Sequence, residues 1–108
     1  MYKVLLDENI PVKIKFRLQD VCEIYTVKDM GWNALENGEL INAMLKDGFD
    51  YLITSDKNLQ YQQNIHAYPI SFIVLNIQDN NYETILPLTD KIKNLLAEKE
   101  KPKLMVIS

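Results

Sequence analysis

Two runs of strand-forming residues stop abruptly at a carboxylate: Val4-Leu5-Leu6-Asp7 and Tyr51-Leu52-Ile53-Thr54-Ser55-Asp56. The apolar residues of the first run are continuous rather than alternating, so the strand they predict has no solvent face and needs cover on both sides. Pro11 follows the first carboxylate, and a polar, helix-compatible stretch follows the second. Strands of this kind build an open parallel sheet. Acids at their ends stand at its carboxyl edge, where α/β folds place their sites. If the two strands are neighbours, Asp7 and Asp56 face each other. Carboxylates held close repel, and they are reconciled by sharing a proton or by holding a cation.

The rest of the chain supplies an alternation of strands and helices. Tyr2 to Leu6 predicts the first strand, Pro11 to Gln19 a helix with Pro11 in its first turn, and Val21 to Val27 a second strand. Lys28 to Asn33 reads as a turn. Glu39, Leu40, Ile41, Ala43, Met44 and Leu45 present a helical face closed by Asp47-Gly48. The third strand is Tyr51 to Thr54, with a polar helix across Lys57 to Asn64 capped by Ser55 or Asp56. A connector over His66 to Pro69 leads to the most hydrophobic strand, Ile70 to Ile77. An amphipathic helix over Tyr82 to Glu100, with Pro87 able to split it, is ended by Pro102 before a terminal strand over Lys103 to Ile107. This order predicts a single domain, 1–108, with a mainly parallel sheet covered on both faces. Right-handed crossovers give the strand order 2-1-3-4 with the last strand at an edge, which places the switch point between the strands ending in Asp7 and Asp56.

Composition narrows the function. The 108 residues suffice for one real core, and the net charge of −3 argues against nucleic-acid binding by bulk electrostatics. Divalent cations on a carboxylate cluster would reverse that potential locally, so an RNA partner is not excluded. No apolar run reaches the roughly 20 residues of a membrane span, and the expectation is a cytoplasmic protein with no membrane association. The lone Cys22 beside a hydrophobic strand reads as a buried structural thiol. One histidine, His66, and one cysteine cannot assemble a zinc cluster or a triad, and the three separated glycines make no phosphate loop.

Asp7 and Asp56 offer the oxygen ligands that Mg²⁺ or Mn²⁺ accepts, with water completing the shell. A third acid would strengthen the set, and Glu39, in the first turn of the helix leading to strand three, is the best placed, with Glu36 in reserve. Glu8 is expected to face away. Each acid also has an ordinary explanation: a strand-end Asp caps a helix or forms a turn, and a Glu in a first turn is favourable there without any ligand. Tyr61-Gln62-Gln63-Asn64 could position a phosphate backbone or stack a base, or be solvated helix surface. Trp32 is read as a core anchor.

Taken together, Leu5-Leu6-Asp7-Glu8-Asn9-Ile10-Pro11, Asp29-Met30-Gly31-Trp32 with Asn37-Gly38-Glu39-Leu40, and Leu52 to Leu59 with Tyr61-Gln62-Gln63-Asn64 resemble the PIN-like domain family, relatives of PIN nucleases and of VapBC-type toxins. The resemblance spans nearly the whole chain. It implies a three-layer α/β/α sandwich that cuts RNA by metal-assisted hydrolysis, with Asp7, Glu39 and Asp56 as catalytic Mg²⁺ or Mn²⁺ ligands. The same motifs offer Asn9, Thr54, Lys57, Asn58 and Gln62 as substrate contacts. It implies an antitoxin as partner, and the alternative is a module without catalysis that acts through protein partners or homodimerisation. Where PIN nucleases often carry a further acid and then an aromatic, this chain has Asn58 and Leu59, so its site carries one negative charge fewer.

Overall fold

The computed structural model describes residues 1–62 and 67–108, and of Gln60 and Gln62 the backbone only. Five strands form one sheet: β1 (Lys3–Leu6), β2 (Glu23–Thr26), β3 (Tyr51–Thr54), β4 (Ser71–Leu75) and β5 (Leu104–Ile107), in the order β2-β1-β3-β4-β5. Every neighbouring pair is parallel. The expected order 2-1-3-4, with the final strand at an edge, is the one observed.

Period-two alternation divides the core between the two faces of the sheet. On one face Val4, Leu6, Tyr51, Ile53, Ile73 and Leu75 pack with Ile14, Leu18, Ile85, Ile92 and Leu96. Those residues come from a 3₁₀ turn at Val12–Ile14 and from helices α1 (Lys15–Leu18), α5 (Tyr82–Ile85) and α6 (Thr89–Ala97). On the other face Leu5, Leu52 and Phe72 pack with Val27, Leu40, Ile41, Met44 and Leu59 from α2 (Val27–Met30), α3 (Asn37–Lys46) and α4 (Leu59–Gln62). Helices therefore cover the sheet on both sides, as the unbroken apolar strands require. Trp32 packs into this second cluster edge-on to Phe49, with ring centroids 5.7 Å apart, as a core anchor should. Among the described residues no helix is long and apolar enough to cross a membrane.

Several element boundaries depart from the sequence reading, each for a local reason. Residues expected to form a turn after β2 include the short helix α2, because Thr26 and Asp29 make a reciprocal capping box and Gly31 closes the helix at φ +73°. The helix expected over Tyr82 to Glu100 is three pieces. A 3₁₀ turn at Leu86–Leu88 surrounds Pro87, whose missing N–H and ring interrupt the α-helical ladder. The final piece ends at Ala97, well short of Pro102. The polar helix after Asp56 is described only over Leu59–Gln62, and the expectations for Gln63, Asn64 and His66 lie outside the described residues.

Candidate functional site

The β1–β3 ladder carries the site. Leu5 pairs with Leu52 and Leu6 with Ile53, and the ladder runs one step further as the Asp7 N–H donates to the Ile53 carbonyl at 2.9 Å. Asp7 therefore arrives opposite Thr54, on the face that Leu5 and Leu52 share. There the Thr54 hydroxyl donates to Asp7 Oδ2 at 2.7 Å. The other carboxylate oxygen, Oδ1, accepts the N–H of Glu8 at 2.9 Å.

Thr54 is fully buried, and its Oγ1 also accepts the backbone N–H of Asp56 at 3.0 Å. One hydroxyl thus joins the carboxylate that ends β1 to the backbone of the acid that follows β3. Asp56 Oδ1 in turn accepts the Asn58 N–H at 3.0 Å, which turns the chain into α4. Asp56 Oδ2 takes no hydrogen bond among the described residues. The ordinary expectation for a strand-end Asp, that it forms a turn, is met at one oxygen of Asp56, and the other oxygen remains available.

Glu39 lies in the first turn of α3, and that helix packs through Leu40, Ile41 and Met44 against the face carrying Asp7 and Thr54. Its Oε1 accepts the N–H of Glu36 at 3.2 Å, the return half of a capping box that stabilises the start of the helix. Glu36, the reserve acid, is the N-cap residue of that box. Glu8 is exposed. Among the described residues no group of three or more His, Cys, Asp or Glu side chains is arranged to hold a metal ion. What the fold brings together is Asp7, Thr54 and Asp56.

Beside this edge lies an open polar cleft of about 430 Å³. One wall is the segment after β3, with Ser55, Asp56, Lys57 and Asn58; the other is the segment after β4, Ile77 to Asn80, and Asn9 contributes from the β1 side. Ser55 Oγ donates to Asn80 Oδ1 at 2.6 Å across the two walls. Asn9 Oδ1 is shut off from solvent and has no hydrogen-bond partner among the described residues. Of the expected substrate contacts, Asn9, Lys57 and Asn58 line the cleft, Thr54 is withdrawn beneath it as a connector, and the side chain of Gln62 lies outside the described residues.

No family model, curated protein or solved structure matches the chain.

The donors here are hard oxygens: two carboxylates, one with an unengaged oxygen, and the orphaned amide oxygen of Asn9. Such a set suits Mg²⁺ or Mn²⁺, which bind through one or two carboxylates and keep several waters, and it does not suit zinc. A buried polar oxygen without a partner is also the kind of group that an ion or an ordered water satisfies. Sequence reasoning missed the β4 side of the cleft. Asp79-Asn80-Asn81 read only as the break after the fourth strand and Gln78 carried no reading, and the proximity of Gln78, Asp79 and Asn80 to Asp56 follows from β4 lying next to β3.

The sole cysteine takes no part. Cys22 is buried, its thiol donates to the Leu18 carbonyl at 3.4 Å, and burial first and the Asp20 charge second push its pKa up to about 11. It is an inert structural thiol, as expected.

Proposed function

We propose that this protein is a PIN-like, Mg²⁺- or Mn²⁺-dependent ribonuclease that hydrolyses phosphodiester bonds at the carboxyl edge of β1 and β3. The observation that carries this reading is the Asp7–Thr54–Asp56 connection, two strand-end acids tied to one buried hydroxyl. Asp7 and Asp56 would hold the ion. Its contribution when bound is to activate a water and to stabilise charge developing on phosphorus. The protein's own part is positioning. Thr54 fixes the Asp7 carboxylate by donating to it and fixes the Asp56 backbone by accepting from it, so neither acid has to be ordered when substrate arrives. Lys57, exposed on the cleft wall, is placed to meet a phosphate. Glu39 holds the Glu36 N–H through Oε1 alone, so its other oxygen could complete the set without loss of the cap.

The four motifs that resemble the PIN-like family add support from the sequence, and by that resemblance the protein acts in the cytoplasm as the toxin of a toxin–antitoxin pair. An antitoxin that covered this edge would block both ion and RNA. The lack, among the described residues, of a third assembled acid favours one other reading, a PIN-like interaction module without catalysis.

The two readings separate in one assay, cleavage of a mixed RNA pool by the purified protein with Mg²⁺ or Mn²⁺ and with EDTA. Metal-dependent cutting that the Asp56→Asn variant lacks is the expected result. Folded protein, free of any partner, that leaves the pool intact would establish the interaction module instead.

A further inference from the structure

Resting on the reading of this edge as a nuclease centre, we propose that the cleft beside Asp56 takes an unpaired nucleobase, and that Asn58 and Gln78 are the residues that read it. The cleft, about 430 Å³, is within the size range of small-molecule pockets, roughly 300–1,000 Å³. Its charge decides what kind of group it suits. Asp56 and Asp79 outweigh the single Lys57, so the lining disfavours a phosphate in its interior and favours an uncharged polar group.

The uncharged hydrogen-bonding side chains of the lining are Asn9, Ser55, Asn58, Gln78 and Asn80; Ser55 and Asn80 bond to each other, and Asn58 after β3 and Gln78 after β4 offer carboxamides from opposite walls. Both are exposed, and neither side-chain amide is engaged by a hydrogen bond among the described residues. A carboxamide sets an acceptor beside a donor. The edge of a base does the same, and amide side chains pair with such edges bidentately. Single-stranded RNA displays both its Watson–Crick and its Hoogsteen edges, whereas in an RNA duplex the first is paired and the second lies in a groove too narrow for side chains.

The two walls are fixed with respect to each other, which a reading pocket requires. The Ser55–Asn80 hydrogen bond spans them. Asp79 anchors the second wall to α5, accepting the Thr84 hydroxyl at 2.6 Å and the Asn81 N–H at 3.0 Å. A base held here lies next to Asp56, so the pocket would determine which nucleotide flanks the bond that is cut.

The test is fluorescence anisotropy in EDTA, where metal-dependent cleavage cannot occur and binding is measured independently of the nuclease reading. The probes are a fluorescein-labelled single-stranded RNA, the same strand annealed to its complement, and an abasic strand of equal length. The single strand is expected to bind, with the duplex and the abasic strand at least about fivefold weaker. Gln78→Ala and Asn58→Ala are each expected to weaken the single strand by about fivefold to tenfold, in line with the loss of one amide–base pairing. Both positions are exposed, so the fold should tolerate either change. With little phosphate contact, affinity should fall only gently as salt rises. Equal binding of all three probes, wild-type affinity in Gln78→Ala, or no binding of any probe would each overturn the proposal. Single-strand binding in a protein that never cleaves would support the base pocket and remove the nuclease assignment alone.

Discussion

Thr54 has no exposed surface, so its hydroxyl must find its partners inside the protein, and it finds them in Asp7 Oδ2 and the Asp56 N–H. Thr54→Val keeps the shape and leaves a part-buried carboxylate oxygen and an N–H without this partner. Chemical denaturation should show a loss of about 1–3 kcal/mol, and cleavage should fall with it. Thr54→Ser, which retains the hydroxyl, should keep most of both. Asp7→Asn tests the neighbouring group: cleavage should disappear while circular dichroism shows the protein still folded. Asp7 and Asp56 were legible as strand-end acids because each stops a run of strand-forming residues. Thr54 as the connector was not legible, since its role depends on the β1–β3 register. The engagement of Glu39 was not legible either, because the box that holds it is capped by Glu36, and glutamate is not among the usual N-cap residues.

Helix α2 shows how a four-residue element persists. Asp29 accepts the Thr26 N–H at 2.9 Å, Thr26 Oγ1 accepts the Asp29 N–H at 3.0 Å, and Lys15 from α1 pairs with the same carboxylate at 2.8 Å. Asp29→Ala removes the box and the ion pair together, and a loss of about 1 kcal/mol in unfolding free energy is expected, most of it from the cap because the ion pair is partly exposed. The Lys15 hydrogen bond first, and the Thr26 backbone second, hold the Asp29 carboxyl below its usual range; the Thr84 hydroxyl does the same for Asp79. A carboxyl with a lowered folded pKa contributes stability that is present above its unfolded value, about 3.9, and is lost as pH falls through the folded one. Denaturation measured against pH should therefore show part of the acid loss below about pH 4, and Asp29→Asn should flatten that part. The box was written in the sequence as Thr26-Val27-Lys28-Asp29, but a strand reading that extended to Val27 concealed it. Pro87, by contrast, announced the break it makes.

At the scale of the molecule, the sheet is protected most at its centre. Every residue of β3 and β4 is buried, and so are Val4, Leu5 and Leu6, whereas Met105 and Val106 of the edge strand β5 are exposed. Hydrogen exchange in the native state should accordingly be slowest in β1, β3 and β4 and faster in β5. The strand order was legible because unbroken apolar runs demand a covered parallel sheet, and right-handed crossovers then leave few arrangements. The cleft was legible on one side only, because its second wall comes from a loop distant in sequence that β4 delivers beside β3. The adjacency of β1 and β3 is also what would make a cation site of two separate acids. Calorimetric titration of Mn²⁺ into the wild-type protein and into Asp7→Asn, Asp56→Asn and Glu39→Gln examines that site without recourse to cleavage. Binding that is lost in both Asp variants and retained in Glu39→Gln is the expected outcome. Wild-type protein that binds no Mn²⁺, or Asp variants that bind it as the wild type does, would refute coordination by the two strand-end acids.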